Sequence, residues 1–214
     1  MLKPTADELW NTLTHAAGFL LSVVGAAWLL VAASSQTQVD EWRMAGCGVY
    51  CASLASVYFC STLSHSASRP DQKQRWRQLD QAFIYLLIVG TYTPFGLAYL
   101  RTGGWLWFLV AMWLLALLGF FSKLLFAHRV EAVAVWIYVI LGWMPIVTAY
   151  PLLYRVPSYS LWWMLIGGIV YTAGTWFLMN DRKAAVFHPL WHLFVMGGSA
   201  CHFYAIYHGV VQVP

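Results

Sequence analysis

The chain has 214 residues, of which 61% are hydrophobic and 17% aromatic, while only 9% are charged. A soluble domain carries about 25% charged residues, so the composition excludes an ordinary cytosolic enzyme, a disordered chain and a nucleic-acid binder. The 12 basic and 8 acidic residues leave a formal net charge of +4, and where those few charges fall decides the class.

A membrane span takes about 20 mostly apolar residues. Seven such runs follow one another: residues 12–34, 43–63, 81–100, 104–126, 132–150, 160–180 and 188–210. The acidic residues Asp7, Glu8, Asp40, Glu41, Asp71, Asp80, Glu131 and Asp181 all lie at or beyond the ends of these runs. Continuous apolar runs without period-two alternation exclude a barrel and leave helices. The expected fold is an all-α integral membrane protein, one seven-transmembrane helix bundle over residues 1–214.

Thr5 to Glu8 reads as a capping box ahead of the first run. Asp7 and Glu8 stand where a cleavable signal would be positive, so this run is expected to be a retained span. Glu8, Asn11 and His15 recur at i, i+3 and i+7 and share one helix face. His15 is expected either to support a site in the bundle or to hydrogen-bond between helices. The second run ends on Ser61 and, one turn later, His65. Cys47, Cys51, Cys60 and Cys201 all sit in apolar runs and are expected as free, buried thiols.

The third run opens on Asp80 after a basic segment from Arg69 to Arg77, and Pro94 inside it predicts a kink. Lys123, near the end of the fourth run, is expected to snorkel toward the interface. Pro145 predicts a second kink late in the fifth. The seventh run opens on His188 and His192, whose i, i+4 spacing puts both imidazoles on one face. Gly197, Gly198 and Ser199 are expected to permit close helix contact. His202 lies about 21 Å further along than His188, too far to share a ligand with it, and is expected to pack. His128 and His208 are expected to be solvated. The 13 Trp and 12 Tyr suit interfacial belts and helix packing.

Orientation follows from the basic residues. Lys3, Arg69, Lys73, Arg75, Arg77, Lys123, Arg129, Arg182 and Lys183 fall on one side, and Arg43, Arg101 and Arg155 on the other. The excess places the N-terminus in the cytoplasm and the C-terminus outside. It also explains the net charge without a polyanionic partner. On this topology His65, Asp80, His188 and His192 all stand at the cytoplasmic ends of their helices.

Ionisable groups inside a bundle mark function by default. Three histidines with one open position suit a catalytic Zn2+, which accepts neutral imidazole and keeps a water in its fourth site. Such a water is acidified to a pKa of about 7. Asp80 can then orient it or serve as general base, and Ser61 can hold a substrate oxygen or a ligand.

The segments Ser61 to His65, Leu79-Asp80 followed by residues 82–94, and His188 to His192 with Gly197 to Phe203 resemble the hemolysin III family. That family is the prokaryotic branch of the progestin and adipoQ receptor group, which includes the adiponectin receptors and is related to alkaline ceramidases. The likeness runs over essentially the whole chain, including Glu8, Asn11 and His15. It implies a seven-helix bundle with zinc near the cytoplasmic face, held by His65, His188 and His192, with Asp80 and Ser61 around the metal's water. It also implies hydrolysis of a lipid amide, with membrane lipid as substrate or ligand and the inner membrane as location. About ten residues precede the first span, where the adiponectin receptors have a substantial soluble region, so a hormone-receptor role is not expected. Three other readings remain: a non-catalytic receptor or homeostasis regulator with structural zinc, an ion or proton pathway through His15, Asp80 and His202, and a b-type cytochrome with paired axial ligands.

Overall fold

The computed structural model describes residues 6–126 and 131–213. Thr5 of the expected capping box, Lys3, His128 and Arg129 lie outside the described residues. Ordered structure among the described residues is helical throughout: α1 (Ala6–Ser34), α2 (Glu41–Ser66), α3 (Pro70–Tyr99), α4 (Leu106–Phe126), α5 (Glu131–Trp143), the short α6 (Ala149–Leu153), α7 (Ser158–Met179) and α8 (Phe187–Ile206).

Six helical stretches are long and apolar enough to cross a membrane, with α5, its continuation and α6 counting as one. The 20-residue α8 is not among them, because His188, His192 and His202 dilute its hydropathy. Leu20, Val24, Trp28, Trp107, Leu118, Ile140 and Trp162 turn outward and are exposed. A surface of this kind needs lipid rather than water around it. The protein is a multi-pass membrane protein.

The helices differ from the apolar runs mainly at their polar ends. α3 starts at Pro70, eleven residues ahead of the third run, with Pro70 at its first turn where a missing N–H costs nothing. Those extra residues form about 16 Å of polar helix that carries the basic segment alongside the start of α1. At the other end of the bundle, the Asp40 side chain caps α2 by accepting from Trp42 and Arg43 backbone N–H groups at 2.8 and 3.2 Å. α5 stops at Trp143 and gives way to a 3₁₀ segment, Met144–Thr148. Pro145, lacking an N–H, cannot continue the helix. Pro94 is accommodated inside α3.

α2 and α3 lie side by side at the centre, α7 pairs with α8, and α8 returns to α1 to close the bundle. α4 packs on the outer side of α3. The close approach of α2 to α3 depends on Gly46, where an added Cβ would stand 2.8 Å from the Cα of Pro94.

Lys123 does not snorkel. It is 1% exposed, because Leu109, Met112, Ala116 and Lys123 form the buried stripe of α4 and the side chain is turned inward. The four cysteines are free, Cys47, Cys51 and Cys60 being buried and Cys201 half-buried.

Candidate metal centre

His65 comes from the end of α2, and His188 and His192 from the first two turns of α8. One nitrogen from each ring lies within 4.8 Å of the others. The Nε2 atoms of His65 and His188 are 3.3 Å apart. Tetrahedral zinc with Zn–N bonds of about 2.0–2.1 Å separates its ligand nitrogens by about 3.3–3.4 Å, so this spacing suits a metal.

The protonation pattern suits it as well. The carboxylate of Glu8 accepts from His65 Nδ1 at 2.7 Å. Asp181, in the turn before α8, stands 3.3 Å from His188 Nδ1. Thr14 lies 3.1 Å from His192 Nδ1. The Thr14 hydroxyl has the Trp10 and Asn11 carbonyls as acceptors at 2.8 and 3.1 Å, which leaves its oxygen to accept from the imidazole. With the proton on Nδ1, each neutral ring keeps Nε2 as the nitrogen able to bind a metal. At 3.3 Å the Nε2 atoms of His65 and His188 are placed to share a proton or a cation. An oxygen partner on the far nitrogen is how proteins fix metal-ligating histidines.

Three of these supporting groups escape the sequence. Thr14 and Asp181 have no spacing that marks them, and Lys73, which bonds the other oxygen of Glu8, reads only as topological charge. Glu8 was visible through its periodicity with Asn11 and His15.

Ser61 sits one turn before His65, 1% exposed and without a hydrogen-bond partner on its hydroxyl among the described residues. It faces the Asp80 carboxylate on α3. Asp80 is not in the three-histidine group; it was expected beside the metal's water and not as a ligand.

A polar seam continues inward from the histidines. Among the described residues His15 neither supports a ligand by hydrogen bonding nor bonds between helices, since both its nitrogens lack partners there. Its ring instead stacks on His192, with centroids 3.5 Å apart and planes at 21°. The edge of Tyr58 follows at 5.2 Å. The hydroxyls of Tyr58 and Tyr171 meet Ser199 Oγ at 2.9 and 2.7 Å. Ser199 is thus a hydrogen-bonding hub rather than a mere packing residue. Gly198 does serve close packing, since a Cβ there would be 2.7 Å from the Tyr171 ring. His202 packs as expected, stacked on Tyr171 at 5.5 Å. His208 is half-buried beside Tyr204, at 4.2 Å, rather than solvated.

Comparison with known proteins places this architecture. The family described as "Haemolysin-III related" matches residues 5–203. The chain belongs to the haemolysin III family. It is similar to a hemolysin-3 homolog of Bacillus subtilis (strain 168), 33% identical over 208 residues that cover 97% of this chain and 96% of the relative. Similarity to hemolysin-3 of Bacillus cereus is 37% over 207 residues, covering 96% and 93%. The human monocyte to macrophage differentiation factor is 28% identical over 225 residues, covering 99% of this chain and 88% of that protein. This haemolysin III family chain therefore matches bacterial and mammalian relatives along almost its whole length.

Proposed function

We propose that the chain is a zinc-dependent membrane hydrolase that cleaves a lipid amide or ester. The observation that carries the reading is the set of three histidines with one nitrogen each within 4.8 Å of the others, each ring also meeting an oxygen at Nδ1. Bound there, zinc would supply Lewis acidity toward a carbonyl and lower the pKa of water. His65, His188 and His192 hold the ion, and Glu8, Thr14 and Asp181 fix the rings. Asp80 takes a proton from the attacking water and delivers it to the leaving nitrogen or oxygen as the carbonyl bond to that atom breaks. Ser61 orients the carboxylate or a substrate oxygen. Lipid enters laterally from the bilayer or from the cytoplasmic side.

The topology that accompanies this reading has seven spans, α8 being the seventh, in the inner membrane. The N-terminus is cytoplasmic, the C-terminus outside and the histidines near the cytoplasmic face. The excess of Lys and Arg at the histidine end supports it.

Elemental analysis of the purified protein tests the first step. Roughly one zinc per chain is expected, and His188→Ala should remove it; unchanged stoichiometry in that variant overturns the site. A panel of lipid amides and esters then tests turnover. Chelator-sensitive release of fatty acid supports the hydrolase, whereas metal binding without any product assigns the zinc a structural role in a receptor or regulator.

A further inference from the structure

The end of the bundle away from the histidines gathers its own charges. Arg43, Arg101 and Arg155 come from three separate stretches of chain, and all three meet around the C-terminal end of α3. Arg43 Nη1 donates to the carbonyls of Val210 and Val213 at 3.2 and 2.7 Å, and its guanidinium lies 5.7 Å from the centroid of the Tyr99 ring. Arg155 donates to the Tyr99 carbonyl. Arg101 bonds Asp40 at 3.4 Å and lies 5.6 Å from the centroid of the Trp42 ring.

Beside these groups is an open depression of about 380 Å³, lined by Ala98, Tyr99, Arg101, Thr102 and Arg155. Two arginines line it, and among the described residues no acid does. Asp40 is not among the lining residues: one of its oxygens caps α2 and the other pairs with Arg101 and Arg43. Capping explains a single bond from Arg155, since cations suit helix C-termini. It does not explain why Arg101 shares the depression, because Arg101 bonds no carbonyl among the described residues. Beyond Tyr99 and Asp40, neither arginine has a further hydrogen-bond partner among the described residues.

Arg101 gives one bond to Asp40 and Arg155 one to the Tyr99 carbonyl, so most donors of both guanidinium groups are left over, and the planar fork of arginine matches a phosphate oxygen pair. Trp42, Trp107, Tyr150 and Tyr154 are exposed at the same end. Aromatic residues of this kind collect at the headgroup level of a bilayer.

We propose that this depression binds a phosphate group, presented by an anionic phospholipid headgroup or as free phosphate, with Arg101 and Arg155 as its ligands and Thr102 as a hydroxyl donor. The site is at the opposite end from the histidines and does not depend on zinc or on hydrolysis.

Native mass spectrometry and thermal shift on the purified full chain test it. The probes are phosphatidylglycerol, phosphatidylcholine and inorganic phosphate. Phosphatidylglycerol should bind and raise the melting temperature, phosphatidylcholine should not, and Arg101→Gln should weaken binding about tenfold for the loss of one bidentate contact. Arg101→Gln leaves the Tyr99 carbonyl bond intact but removes the Asp40 pair, so each variant is compared with its own ligand-free melting temperature, and Arg155→Lys should give an intermediate loss. Saturable binding of inorganic phosphate with the same arginine dependence assigns the site to free phosphate. Equal binding of the two lipids with no phosphate binding overturns the proposal, as does full affinity in Arg101→Gln. Zinc content should be the same in every variant, which keeps this result separate from that of the metal centre.

Discussion

The two ends of the bundle place their polar groups by opposite rules. At the histidine end every candidate ligand meets an oxygen at Nδ1, and one nitrogen of each ring lies within 4.8 Å of the others. At the arginine end the side chains first satisfy loose carbonyls and Asp40, and the donors left over border a depression without acids among the described residues. The first arrangement suits a cation and the second an anion. In a bundle surrounded by lipid, the partner a polar group lacks says more about its role than the partner it has, since an unsatisfied group there costs several kcal/mol.

That contrast can be broken most decisively at His192, which is 1% exposed. His192→Ala should abolish metal binding, and with it the stacking surface of His15, while phosphatidylglycerol binding stays at the native level. If both ends respond, the two sites are not separate. A smaller effect is expected from the groups behind the ligands. Glu8→Gln should weaken zinc affinity by about 10–100-fold, read by competition with a chromophoric chelator. Asp181→Asn should lose less, because its contact is 3.3 Å against 2.7 Å for Glu8. Lys73→Met should lose least, since it acts only through Glu8.

Gly46→Ala sharpens the comparison from the middle of the bundle. Crowding the backbone of Pro94 should cost about 1–3 kcal/mol and lower the melting temperature, with zinc affinity and lipid binding of the folded fraction unchanged. The smallest effect separates the two ends by screening. Raising salt to about 0.5 M shortens the Debye length to a few ångströms and should weaken phosphatidylglycerol binding while leaving the enclosed metal centre nearly unaffected.

Much of this arrangement is legible in the chain. The His188 and His192 pair needs only the helical period, and Ser61 with His65 needs the same. Pro145 ends α5 for a reason local to its ring. The failures have a common origin. Lys123 was expected at the interface from its place near a run's end, but its position on the buried stripe of α4 turned it inward. Ser199 was read as small, and the two tyrosine hydroxyls that reach it come from α2 and α7. Asp181 and Thr14 matter only because of what lies opposite them.

The sequence by itself determined the solvent, the approximate helices, the grouping of basic residues and the identity of the three histidines. These follow from hydropathy, from local steric rules and from spacings within single helices. Only the tertiary structure decided which face of each helix turns inward and which distant residues meet. Glu8 finds His65 and Lys73 because α1, α2 and the polar extension of α3 converge there. Arg101 and Arg155 share a depression because two separate loops end beside it. Such meetings depend on helix rotation and crossing, which packing sets across the whole bundle and no local spacing encodes.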